Sequence, residues 1–183
     1  MGENFEQKPE IEKPSVLYHA SRSKNVTEFE PRAETVRIPE EGPLVFGTPD
    51  VAYASCFIVP TADSWTQVSV FDNSLHVMII SDQKRFKKLD KGGSIYFLPS
   101  DSFETDPEKS PSAREWTSKN PVKPSDKKDY KSGLQAMLEN GVEVYFVEKE
   151  TFDRIQKSDD HGLKILKTLK PYENKFPKLK RIF

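Results

Sequence analysis

Apolar positions along this chain fall into short runs divided by turn residues. Val16-Leu17-Tyr18, Leu44-Val45-Phe46, Ile95-Tyr96-Phe97-Leu98 and Val142 to Val147 are each rich in β-branched and aromatic residues and bounded by Gly, Pro, Ser or Asp. That pattern predicts strands. Leu75 to Ile80 is nearly continuous in apolar residues, which predicts a strand buried on both faces. Helical spacing is clearest at Tyr130, Leu134, Met137 and Leu138, an i, i+4, i+7, i+8 series. It predicts a helix that starts at Asp126 and ends at Gly141.

Three shorter helices follow from start signals. Thr48-Pro49-Asp50 offers a hydroxyl cap, a proline at the first helical position and an acid in the first turn, predicting a helix to about Phe57 with Tyr53 nearest the preceding strand. Ser81 and Asp82 can cap a helix carrying Phe86 and Leu89, closed by Gly92-Gly93, and Thr151 to Ile155 reads as another. Between these elements lie loops. Arg22 to Pro39 is a charged connection with a short strand near Phe29, and Thr61 to Asn73 is a mostly polar excursion around Trp65. Pro99 to Ser112 is an acidic loop of a length that is uncommon without a function. Arg114 to Ser118 returns as a strand, with Val122 to Pro124 extended behind it.

Strands come first and most often, with helices inserted among them rather than alternating, so the fold class expected is α+β with a mixed, largely antiparallel sheet. One domain over residues 15–160 is expected, preceded by a polar, proline-punctuated tail at 1–14 and followed by a basic extension at 161–183. That extension holds seven Lys or Arg against Glu173 alone. Its leucines and isoleucine at 163, 165, 166 and 169 are expected to pack back on the domain.

Composition narrows the function classes. A formal net charge of -1 argues against a wholesale nucleic-acid or membrane-surface binder. No run is long enough to span a bilayer, and the acidic start, with Glu3, Glu6, Glu10 and Glu12, carries no secretory signal pattern. The single cysteine, Cys56, excludes a disulfide framework and a cysteine-rich metal site, and a reducing cytoplasmic setting is expected. Set among apolar neighbours, Cys56 is also a poor nucleophile. Neither a Gly-x-Gly-x-x-Gly turn nor a Walker-type phosphate loop is present.

Three stretches carry the candidate chemistry: Leu17-Tyr18-His19-Ala20-Ser21, Leu44 to Ser55, and Ala113-Arg114-Glu115-Trp116-Thr117-Ser118. In type and order they resemble the signature strands of the ADP-ribosyltransferase fold, in which a histidine ends the first strand, an aromatic and a small-residue helix follow the second, and a glutamate opens a later one. The resemblance spans roughly residues 15 to 150. It implies split, mixed and mostly antiparallel sheets with short helices, and NAD as substrate.

By that resemblance His19 bonds the ribose hydroxyls, the backbone of Ala20, beside Ser21, holds the nicotinamide carboxamide, and Ser55 bonds the same amide. The family's stacking tyrosine falls at Val45 or Phe46, so the ring is supplied by Phe46 or by Tyr53. Glu115 is the expected catalytic carboxylate, paired with His19, because a fixed anion stabilises the positive charge that builds on the sugar as the nicotinamide bond breaks. Ala113 stands where arginine-modifying members carry an acid or glutamine, leaving a nucleic acid, a small molecule or another protein side chain as acceptor. RNA phosphotransferases of the same fold use arginines, for which Arg22, Arg32 and Arg37 are candidates. The alternative function is a non-catalytic module that binds a nucleotide or a partner. His76 and His161 are expected to be structural.

Overall fold

The computed structural model describes residues 11–33, 39–71, 74–108, 110, 112 and 114–173. Residues 1–10 with Glu3, Glu6 and Glu10, together with Arg37, Ala113 and the last four basic residues of the extension, lie outside them. The first strand, β1 (Val16–Ser21), is followed by β2 (Val45–Gly47), α1 (Val51–Ser55), β3 (Thr66–Phe71), β4 (Leu75–Ile80) and α2 (Gln83–Leu89). Then come β5 (Gly93–Pro99), β6 (Trp116–Ser118), β7 (Asp126–Tyr130), α3 (Gly133–Glu139), β8 (Glu143–Phe146), α4 (Lys149–Gln156) and α5 (Leu163–Leu166).

The chain is an α+β protein with mixed sheets. β1, β5 and β7 form an antiparallel sheet in that order, and β2 pairs antiparallel with β6. Among the described residues the backbones of these two pieces are joined by one bridge, between Tyr18 and Thr48, with bonds of 2.7 and 3.0 Å. A second bridge, Glu104 to Thr117, adds the long loop to the far side of β6. In the remaining sheet β4 is central, antiparallel to β3 and parallel to β8.

Alternation along β1 decides what lies on each side. Leu17 faces a core of Val45, Tyr96, Leu98, Phe103 and Trp116, whereas Tyr18 and Ala20 pack toward Ile58, Ile95, Tyr130 and Ala136. β4 likewise sends Met78 and Ile80 to one core and Val77 and Ile79 to another. Helix α1 fills the space between: Ala52 and Cys56 enter the core of Met78 and Ile80, and Val51 packs beside Tyr18 and Ala20.

The structure corrects four expectations. Asp126 to Tyr130 is strand, not the first turns of a helix; its backbone pairs with Gly93 to Phe97, and the helix begins only where Ser132 Oγ accepts from Gln135 N–H at 3.0 Å. Tyr130 therefore contributes to the core from a strand, and its fit to the helical series is coincidental. The excursion at 61–73 contains β3, an edge strand whose interleaved Thr, Gln and Ser conceal its alternation. Trp65, just before it, is buried, with the Arg85 guanidinium 4.8 Å from its ring centre. The cap of α1 is Asp50 rather than Thr48, and the helix stops at Ser55 rather than near Phe57. Thr48 is instead drawn into the sheet by Tyr18, which leaves Asp50 the first side chain able to reach the free N–H groups.

Residues 161–173 belong to the packed structure. Leu166 is buried against Val77 and Phe152, and Ile165 and Leu169 lie on the same core. Tyr172 N–H bonds Val144 O at 2.6 Å, and its ring meets Phe146 edge-on.

Candidate functional site

All three motifs meet around the Tyr18–Thr48 bridge. Two residues past Tyr18 on β1 is Ala20; two before Thr48 on β2 is Phe46; Asp50 and Tyr53 follow Thr48 into α1; and Glu115 precedes Trp116, the partner of Gly47. The strand carrying the histidine, the aromatic strand and the strand opened by the glutamate are thus side by side.

Beyond that bridge β1 and β2 part. In an antiparallel ladder, residues exchange both backbone bonds at every second position. Tyr18 turns both its N–H and its C=O to Thr48, so Ala20, two residues on, turns both groups to the same side. Among the described residues Ala20 has no ladder partner there; its pairing with Ile95 is the non-bonded kind. Where β2 would have continued the ladder, the imidazole of His19 intervenes: Nδ1–H donates to Phe46 O at 2.7 Å. The His19 ring also packs on Phe29 with centroids 4.4 Å apart.

Burial lowers the pKa of His19, and the Phe46 carbonyl offsets this in part by favouring the protonated ring. The ring is therefore neutral at pH 7, with Nδ1 protonated and Nε2 an acceptor. The lowered value has a stability consequence. Near the ordinary histidine value of ~6.5 the unfolded chain takes up a proton that the folded chain resists, so stability falls as pH drops from there through the folded-state value. Relative to His19→Asn, the wild-type protein is expected to lose stability between pH 7 and pH 5 in chemical denaturation. A difference between the two that stays constant over this range contradicts the assignment.

On the α1 side, Tyr53 and Glu115 are close enough to interact electrostatically. Burial raises the Tyr53 pKa most, and the negative charge of Glu115 raises it next, with Arg114 opposing. Tyr53 also meets Phe57 edge-on at 5.0 Å, and Phe57 is one of two exposed large apolar side chains among the described residues. The backbone of Glu115 is clamped by the long loop: Thr105 Oγ1 donates to Glu115 O at 2.8 Å, and Ser110 Oγ accepts from Glu115 N–H at 3.1 Å. The acidic loop has a concrete task here, which is to hold the glutamate.

The expected site residues are not all placed alike. Tyr53 lies within range of the Glu115 charge; His19 and Ala20 line the parting of β1 and β2; the half-buried Phe46 supplies its carbonyl to His19. Ser21 accepts a bond from Ser23 N–H at 3.2 Å and ends the strand. Ser55 corrects its expected role as an amide ligand. It is fully buried, and its hydroxyl donates to Ala52 O at 2.6 Å, inside the turn of the helix. Cys56 is buried as well, and burial pushes its thiol up to about 12, which suits packing and not nucleophilic attack.

Sequence reading set His76 aside as structural and did not connect it with Asp50 and Arg114. Asp50 Oδ1 accepts from Tyr53 N–H at 3.0 Å while Oδ2 accepts from His76 Nε2–H at 2.5 Å, and Arg114 Nε lies 3.9 Å from Oδ2. The Thr-Pro-Asp sequence contained the cap signal, but nothing in the sequence spacing joins it to a histidine 26 residues away. Among the described residues no cluster of His, Cys, Asp and Glu is arranged to hold a metal ion, and no helix is long and apolar enough to cross a membrane. Comparison with protein-family models, with curated proteins and with solved structures finds no match to this chain.

Proposed function

We propose that this protein binds NAD at the parting of β1 and β2 and cleaves its nicotinamide bond, passing ADP-ribose to an acceptor, as the resemblance to ADP-ribosyltransferases implies. The observation that carries the reading is the unpaired backbone of Ala20. A primary carboxamide presents one acceptor and one donor along a single edge, complementary to the N–H and C=O that an extended residue turns to one side. Nicotinamide seated there takes the place of the missing ladder partner. His19, fixed through Nδ1, offers Nε2 to a ribose hydroxyl. Tyr53 or Phe46 supplies a ring for the nicotinamide face, and Glu115, beside Tyr53, opposes the positive charge that develops on the ribose.

The acceptor chemistry of the backbone gives a direct test. Nicotinamide is expected to shift the amide resonance of Ala20, and nicotinic acid, whose carboxylate has no donor for the Ala20 carbonyl, is expected to bind at least about tenfold more weakly. Incubation with NAD is expected to release nicotinamide. No shift at Ala20 with either compound, and no consumption of NAD, would rule the reading out. A second reading, a module that binds the nucleotide without cleaving it, is favoured by the closure of Ser55, which removes one expected amide ligand. In that case NAD shifts Ala20 and is recovered intact.

A further inference from the structure

We propose that His76 is a positioning residue for the Tyr53–Glu115 pair, acting through Asp50 from the central strand of the other sheet. The proposal rests on reading Tyr53 and Glu115 as the working pair of the site. Glu115 has its own support, since Thr105 and Ser110 hold its backbone from the loop. Tyr53 has far less. Helix α1 is five residues long, too short to be stable by its internal bonds, and one side-chain cap holds the Tyr53 amide. The Asp50 carboxylate that provides this cap is itself free to rotate unless its second oxygen is held.

His76 supplies that hold. It sits on β4 opposite Val70, 7% exposed, one residue before β4 begins to pair with β8. Its backbone is held in the ladder opposite Val70 and its ring is buried, so the direction of Nε2 is set by the sheet. The 2.5 Å bond to Asp50 Oδ2 ties the first turn of α1 to that sheet, and a hydrogen bond to an ionised acceptor is among the stronger kinds. Arg114 Nε approaches the same oxygen at 3.9 Å from the chain segment that carries Glu115. One carboxylate thereby gathers the helix of Tyr53, the strand of His76 and the neighbour of Glu115. A histidine serving only to fill the core would not need an aspartate at the helix cap, and a cap alone would not need the histidine.

Tyrosine labelled with 13C at Cζ provides a readout in the ligand-free full chain, where the titration of Tyr53 reports the nearness of the Glu115 charge. In the wild-type background Glu115→Gln is expected to shift the Tyr53 midpoint downward. In a His76→Phe background, which keeps ring volume and removes the donor, Glu115→Gln is expected to cause little or no further shift. His76→Gln, whose amide nitrogen can replace Nε2 as donor, is expected to restore the dependence. An equal downward shift in the wild-type and His76→Phe backgrounds overturns the proposal. If His76→Phe does not fold, Asp50→Ser serves instead: serine still caps a helix but is too short to reach His76. Persistence of the full Glu115-dependent shift in Asp50→Ser equally overturns the proposal, and its loss supports it. Failure of the NAD reading appears separately, as an Ala20 amide that does not respond to nicotinamide.

Discussion

Glu115→Gln is expected to slow nicotinamide release from NAD by about a hundredfold or more, equivalent to roughly 3 kcal/mol of barrier. Glutamine keeps the size and hydrogen-bonding capacity of the side chain and removes only its charge. Cleavage of the nicotinamide bond returns the bonding pair to the pyridinium ring, which leaves as neutral nicotinamide, and moves the positive charge onto the ribose, so a carboxylate set against the ribose interacts more strongly with the transition state than with bound NAD. The loss is therefore expected in kcat, with NAD affinity nearly unchanged. His19→Ala is expected to act differently, weakening binding as well, because it removes the ribose acceptor and the imidazole that occupies the bond to Phe46 O. Steady-state rates of nicotinamide release, with affinity measured by titration, separate the two. Equal losses of affinity in both variants would remove Glu115 from the catalytic role.

Gly93→Ala is expected to destabilise the fold by about 2–3 kcal/mol, with a melting temperature lower by roughly 5–10 °C. A Cβ at position 93 would lie 2.3 Å from Ser21 O and 3.1 Å from Arg22 Cα, backbone atoms that cannot rotate out of the way. β1 must move away from β5 at the very end that carries His19 and Ala20. Gly93 is the first residue of β5 and pairs with Tyr130 on its other side, so β5 cannot simply retreat from β1. Thermal unfolding measures the loss of stability, and a perturbed amide resonance at Ala20 reports the displacement of the strand. A variant as stable as the wild type would mean that the two strands are not packed this closely in solution.

How much of this was legible in the sequence depends on the range of the forces involved. Where a residue's conformation is set by its neighbours along the chain, the pattern sufficed. The apolar runs at β1, β2, β4, β5 and β8 gave strands, the Asp82 cap opened α2, and Gly141, with φ of +82°, ends the turn after α3. Burial of Cys56 and of Leu166 likewise followed from their apolar surroundings in the sequence. The order of the three motifs, with a histidine, an aromatic and a glutamate at strand ends, was also present in the linear chain.

What the sequence could not decide was pairing. Asp126 to Tyr130 has a helical apolar spacing and too few apolar residues to advertise a strand; β5 makes it one by offering a backbone edge, a long-range choice that overrides a weak local preference. β3 is likewise an edge strand, whose Thr66, Gln67 and Ser69 find partners inside the protein and whose identity comes from β4. The site shows the same division. The sequence placed His19, Ala20, Tyr53 and Glu115 at the ends of elements. Only the tertiary structure parted β1 from β2 after one bridge, leaving Ala20 without a ladder partner, and only it brought His76 across from another sheet to Asp50. Hydrogen bonds between residues far apart in the chain depend on where whole strands come to lie, and that is fixed by packing of the cores on either side of α1 rather than by any local run of residues.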